Sequence, residues 1–114
     1  MVEGRPRVLK TYSLSDGKTS PYGIWFGGLR DSQWRSRIQI RLNRIRFYGD
    51  FGDVESVGDG VFELKFRSGP GFRIYCGEDK ERDEVILLWG GDKSTQAADI
   101  KRSKEYWREY NAEA

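Results

Sequence analysis

Lys65, Arg67, Arg73 and Lys93 are the side chains whose types and spacing best suggest chemistry. Val61-Phe62-Glu63-Leu64-Lys65-Phe66-Arg67 alternates cleanly, with Phe62, Leu64 and Phe66 on one side and Glu63, Lys65 and Arg67 on the other. Ser68-Gly69-Pro70-Gly71 marks a turn, and Phe72-Arg73-Ile74-Tyr75-Cys76 alternates again. Polarity sets the expected register: Arg67 opposite Arg73 and Lys65 opposite Tyr75. Lys65, Arg67, Arg73 and Tyr75 then share the open side of one hairpin, and Lys93 follows the next strand. Like charges directly opposite each other destabilise a hairpin, and a bound anion offsets that cost. A phosphodiester fits. Arginine takes its oxygens two at a time and stabilises the extra charge of a pentacoordinate transition state. A lysine crowded by arginines has a lowered pKa and can move a proton, and Tyr75 can stack on a base. The same pattern also suits a plain solvated sheet face.

Other chemistries are narrowed by composition. The chain has 114 residues and no histidine, which excludes His-based triads and the usual His-containing zinc sites. Its one cysteine, Cys76, cannot form an internal disulfide, fits a reducing cytosol and falls on the core-facing register. No apolar run approaches the length of a membrane span, and the N-terminus lacks the apolar stretch of a signal peptide. Gly90-Gly91-Asp92-Lys93-Ser94-Thr95 lacks the glycine spacing of a nucleotide-phosphate loop. The Gly- and Asp-rich stretch 49–60 lacks the alternating ligands of a calcium loop.

Charge is divided unevenly. The net charge is +2, but residues 1–49 carry ten Lys/Arg against three Asp/Glu, a net +7. Residues 50–114 carry ten against fifteen, a net −5. A basic half suggests a polyanion or an acidic protein as partner; a solvated basic helix is the plainer reading.

The elements that must position these residues follow from the patterning. Residues 1–6 read as a loose tail and 7–14 as a first strand. Ser20-Pro21 opens a short helix bearing Tyr22, Trp25, Phe26 and Leu29. Asp31 caps a longer helix over 32–48, with Trp34, Ile38, Leu42 and Ile45 as its core stripe. Arg30, Arg37, Arg41 and Arg44 form a second, cationic stripe if that helix reaches back to residue 30. A short strand is expected at 54–57, a charged turn at 77–84, and a central, doubly covered strand at 85–89. Residues 90–93 read as a tight turn, after which Ser94 or Thr95 caps a last helix over 96–110. The sum is a single α+β domain spanning 1–114.

Several short motifs occur together and in order. They are Trp25-Phe26-x-x-Leu29-x-Asp31, Arg37-Ile38-x-x-Arg41-Leu42-x-Arg44, Gly52-Asp53-Val54-x-x-Val57-Gly58-x-Gly60-Val61-x-Glu63-Leu64, Gly69-Pro70-Gly71-Phe72-Arg73-Ile74-Tyr75 and Gly90-Gly91-Asp92-Lys93-x-x-Gln96-x-x-Asp99-Ile100. Over about residues 21–104 this set resembles the addiction-module killer (HigB-like) group of the RelE/ParE superfamily of type II toxins. The resemblance implies a RelE-like α+β domain: two N-terminal helices on a mostly antiparallel sheet of four to five strands, plus a C-terminal helix. It implies a bacterial cytoplasmic toxin that cuts mRNA in the ribosomal A site and is neutralised by a cognate antitoxin. Cleavage would be metal-independent and cofactor-free, the RNA 2′-hydroxyl attacking the adjacent phosphate. Arg73 would be the transition-state arginine, Lys65 and Arg67 would orient the phosphate, and Lys93 would lie near the leaving group. Arg30, Arg37, Arg41 and Arg44 would hold rRNA phosphates or an acidic segment of the antitoxin. The chain departs from some relatives in lacking a histidine and a tyrosine in the first turn of the last helix, which leaves the general acid unassigned. The ParE branch supplies the alternative, a non-catalytic toxin that binds DNA gyrase.

Overall fold

Ser20 and Asp31 start the two N-terminal helices through their side-chain oxygens. In the computed structural model, which describes residues 4–113, Ser20 Oγ accepts from the Gly23 amide at 3.0 Å. Helix α1 (Pro21–Gly27) follows. Asp31 Oδ1 accepts from the Gln33 and Trp34 amides at 2.9 and 3.3 Å, opening α2 (Ser32–Tyr48). Arg30 therefore lies in the connection before the cap, not on the helix.

The strands are β1 (Val8–Thr11), β2 (Val54–Gly58), β3 (Val61–Lys65), β4 (Arg73–Asp79) and β5 (Glu84–Gly91). They form one five-stranded sheet in the order β1-β5-β4-β3-β2. Only the β1–β5 pair is parallel. A single 3₁₀ turn, Lys93–Thr95, leads into α3 (Gln96–Glu113). The fold is thus α+β, with a mostly antiparallel sheet and a C-terminal helix.

Helices cover both faces of the sheet. Ile38, Leu42 and Ile45 of α2 pack with Tyr22, Leu64, Ile74, Cys76, Val85 and Leu87 on one side. On the other, Trp107 of α3 packs with Val61, Tyr75, Ile86 and Leu88. The apolar run of β5 is explained by this double cover. Leu88 is an extra residue in the β4–β5 ladder, so Leu88 and Trp89 both join the α3-side core.

Several expectations need correction. The first strand is shorter than 7–14. β4 runs on to Asp79, so the charged turn is confined to 80–83. Gly90 and Gly91 belong to β5 rather than to a turn, and the cap of the last helical segment is Asp92, which accepts from the Ser94 amide at 2.8 Å. Of the expected loose tail, residues 1–3 lie outside the described residues, and Arg5 is tied to Asp83 at 2.5 Å.

The β3–β4 register is shifted by two residues: Lys65 pairs with Arg73 and Glu63 with Tyr75. A two-residue shift keeps every side chain on its face, so the alternation held while the pairing did not. The cause is Phe72. Closing the turn at Ser68–Gly71 lets Phe72 re-enter the ladder and bury its ring against Trp25 and Trp34, at centroid distances of 5.7 and 5.2 Å. The expected register would have left that ring in the turn.

Candidate functional site

The polar face of β3 and β4 is not open. The start of α3 lies against it, because Gly91 has no side chain: a Cβ there would sit 1.8 Å from Asp99 Oδ2. Asp99 is buried and accepts from Trp89 Nε1 at 2.9 Å and from Thr95 Oγ1 at 2.6 Å. Those bonds pin the first turn of α3 to the end of β5. They also bring Gln96 over the sheet, where its Nε2 donates to both carboxylate oxygens of Glu63 at 3.0 and 3.3 Å.

Glu63 is the hub of the cluster and is only 2% exposed. Its Oε2 lies 3.9 Å from Lys65 Nζ and its Oε1 3.8 Å from Arg73 Nε. Burying a lone carboxylate is costly; an amide donor and two flanking cations make this one tolerable. Lys65 also pairs with Glu55 of β2, and this contact holds the Glu55 carboxyl below its ordinary range. Lys65 therefore sits between two carboxylates. Its surroundings are these two carboxylates together with the directly opposed Arg73.

Arg73 is 8% exposed. Its Nη1 donates to the carbonyls of Gly71 (2.9 Å), Phe72 (3.2 Å) and Phe66 (3.5 Å), so the guanidinium also braces the 66–72 turn. Tyr75 is fully buried in the α3-side core. It is not on an open face and cannot stack on a base, and burial is the main cause that pushes its hydroxyl pKa up.

Arg67 lies beyond the end of β3. It is exposed and paired to Asp53 at 2.5 Å, which lowers the Asp53 pKa. Lys93 is exposed on the 3₁₀ turn, and its backbone amide donates to the Pro70 carbonyl at 3.4 Å, which places it beside the 68–71 turn. The predicted cationic stripe separates into two kinds of residue. Arg30, Arg37 and Arg44 are exposed, and the Arg37 guanidinium lies 4.9 Å from the Trp34 ring centre. Arg41 is a structural brace. Its nitrogens donate to the carbonyls of Phe51 (2.9 and 3.1 Å), Asp53 (2.7 Å) and Lys65 (2.7 Å), and desolvation is the main cause that lowers its pKa. Cys76 is fully buried, with its thiol pushed up by desolvation, so it is packing rather than a nucleophile.

Sequence reasoning missed Glu63 and Gln96. Glu63 falls on the polar register of β3 and reads there as a solvated charge. The motif Gly90-Gly91-Asp92-Lys93-x-x-Gln96-x-x-Asp99 held the missing signal: two residues without side chains, followed by polar residues spaced to share one helix face. Chemically, the cluster is a desolvated carboxylate between an ammonium and a guanidinium, with a further exposed cation nearby. Such a set holds two cations in fixed positions from which they can stabilise an anion.

The chain is 43% identical over 86 residues to an uncharacterized protein of Haemophilus influenzae, covering 75% of this chain and 85% of that protein. The two belong to one family. No family model matches the chain. No solved structure matches it either. Among the described residues, no helix is long and apolar enough to cross a membrane.

Proposed function

We propose that the protein is a RelE-like type II toxin of the bacterial cytoplasm, a ribosome-dependent endoribonuclease neutralised by a cognate antitoxin. One observation carries the reading: Lys65 and Arg73 stand directly opposite each other with the buried carboxylate of Glu63 between them. That is a pair of cations held in fixed positions by a buried anion, set to stabilise a phosphorane. In the reaction the RNA 2′-oxygen bonds to the adjacent phosphorus and the P–O5′ bond breaks, leaving a 2′,3′-cyclic phosphate and a 5′-hydroxyl. Solvent water takes up the 2′-hydroxyl proton, while the buried Glu63 holds the two cations in place. Lys65 and Arg73 meet the growing phosphoryl charge. Lys93, exposed beside the 68–71 turn, lies on the leaving side, where the 5′-oxygen takes a proton from solvent water. The exposed cations Arg30, Arg37 and Arg44 serve the macromolecular partner, either rRNA or an acidic antitoxin segment.

A deeply set site with no group whose ordinary pKa lies near neutrality needs its substrate presented in line. The test is primer extension on one transcript, naked and on translating ribosomes. Fast cleavage of the translated sample alone supports the reading, and equal cleavage of both removes the ribosome requirement.

A second reading rests on a different observation. Arg67, Lys65 and Arg73 each face a carboxylate, from Asp53, Glu55 and Glu63 respectively. A face neutralised in that way also suits a toxin that acts by binding DNA gyrase. Cleavage of neither transcript, together with inhibited supercoiling, favours it.

A further inference from the structure

A cavity of about 340 Å³ opens on the side of the sheet away from the Glu63 cluster. Phe62 and Val54, in its wall, stand opposite Cys76 and Leu64 of the α2-side core. The cavity exists because of Gly49. This residue ends α2 in the left-handed region at φ 66°, and a Cβ there would lie 2.2 Å from the Arg5 carbonyl oxygen. Without a Cβ, residues 5–7 can cross the end of the helix, where the Arg7 amide donates to the Arg46 carbonyl at 3.0 Å. The crossing sets the Arg7 side chain into the cavity wall, only 5% exposed. Arg7 is paired on one side only. Its Nη2 donates to Glu78 at 2.7 Å and to Asp83 at 3.3 Å, while its Nε is buried with no partner among the described residues. A buried donor left unpaired is costly, and an oxygen brought in by a ligand removes that cost. Glu78, also in the wall, keeps 39% of its side chain in solvent and can accept further bonds. The rest of the wall is apolar. The rings of Phe51 and Phe62 meet at 70° with centroids 5.9 Å apart, so they form a corner rather than a flat slot.

We infer that this cavity binds a free α-amino acid with a large apolar side chain. The ligand carboxylate would meet the Arg7 guanidinium, its ammonium would meet Glu78, and its side chain would fill the corner of Phe51 and Phe62 beneath Val54. The local charge favours a zwitterion over an ion. Arg5 and Arg7 are balanced by Glu78 and Asp83, so a net anion meets two carboxylates and a net cation meets two guanidiniums. A nucleobase also offers a donor and an acceptor, but it needs an open aromatic face on which to stack. The Arg7 guanidinium lies 5.8 Å from the Phe51 ring centre, and Phe62 stands across the same ring. The inference goes beyond the ribonuclease reading and does not rest on it, because the Glu63 cluster lies on the opposite face of the sheet.

The test titrates the ¹⁵N-labelled full chain with L-phenylalanine and follows the backbone amides. N-acetyl-phenylalanine, which lacks the ammonium, phenylalaninamide, which lacks the carboxylate, and guanosine monophosphate serve as controls. L-phenylalanine is expected to shift the amides of Gly49, Phe51, Val54, Phe62 and Glu78 along a saturating curve, with a Kd on the order of 1 mM or tighter. Both blocked analogues are expected to bind about tenfold more weakly or worse, since each leaves one charged partner in the wall unanswered. Arg7 is a poor site for a variant, because its loss strands Glu78 and Asp83. Val54→Trp instead fills the mouth from an exposed position and is expected to abolish binding, and Glu78→Gln is expected to weaken it about tenfold. The amide spectrum of each variant without ligand verifies its fold. Shifts absent from these amides up to about ten times that Kd, analogues that bind as well as L-phenylalanine, or binding unchanged in Val54→Trp overturn the inference. Guanosine monophosphate that shifts the same amides at lower concentration overturns it in favour of a nucleotide. None of these readouts involves RNA cleavage, so failure here and failure of the ribonuclease reading are separately visible.

Discussion

Lys65 and Arg73 are cross-strand partners on β3 and β4, and the carboxylate of Glu63 lies within 4 Å of both, at 3.9 and 3.8 Å. Two cations in a directly opposed pair repel. Here a buried anion one step along the same face holds them together, and that anion is held in turn by Gln96 of α3.

Arg73 is expected to be indispensable for cleavage of translated mRNA. Replacement by alanine should lower the rate by about 10²–10³-fold, the usual loss when a preorganised transition-state donor is removed. Arg73→Lys keeps the charge but not the planar fork, and should recover only part of the rate. Primer extension on translating ribosomes reads both variants. An Arg73→Ala protein that is folded and cuts at the wild-type rate would falsify the site.

Glu63→Gln removes the charge and nearly preserves the shape. It leaves Lys65 and Arg73 facing each other without the anion between them, and sets a second amide against Gln96. A loss of about 1–3 kcal/mol of stability is expected, typical of a buried polar group deprived of its partner. Urea midpoints against wild type measure it. Gln96→Ala should destabilise less than Glu63→Gln, because it removes one donor and leaves both ion contacts. The reverse order would show that Gln96 rather than Glu63 holds the cluster together.

Gly77 lies beneath Trp107, and a Cβ there would come within 2.5 Å of the indole. Both residues are buried, so the indole has little room to retreat. Gly77→Ala should therefore cost about 1–3 kcal/mol by overpacking and should loosen α3. The expected signature is earlier thermal unfolding together with faster amide exchange along Gln96–Glu113. A variant with unchanged exchange in α3 would contradict the packing described.

Acid should unfold the protein through named pairs. Hydrogen bonding with Tyr110 is the main cause that lowers the pKa of Asp79, and Arg5, Arg67 and Lys65 do the same for Asp83, Asp53 and Glu55. Their folded-state values are depressed, so the unfolded chain takes up protons first as pH falls. The stabilisation is complete above the ordinary carboxylate range, about pH 4, and is lost below it. The melting temperature should hold between about pH 7 and 5 and drop on further acidification. Tyr110→Phe should make that drop shallower, since Asp79 loses the bond that depresses it. An acid limb identical to wild type would exclude Asp79 from it.

Local chemistry was legible in the sequence. Ser20 and Asp31 announced the starts of α1 and α2, because a cap is a contact across two or three residues. Ile38, Leu42 and Ile45 announced the buried stripe of α2, because helical periodicity fixes which side chains share a face. The continuous apolar run of β5 announced cover on both sides. Tertiary structure decided what depends on contacts between distant segments. The β3–β4 register followed from where Phe72 could bury against Trp25 and Trp34, not from the polarity of the strands. Arg41 had the spacing of an exposed stripe but was recruited by the carbonyls of Phe51, Asp53 and Lys65, which α2 alone does not contain. Glu63 read as a solvated charge until α3 closed over it. A strand's alternation states which residues point the same way and carries no information about which helix will lie on that side.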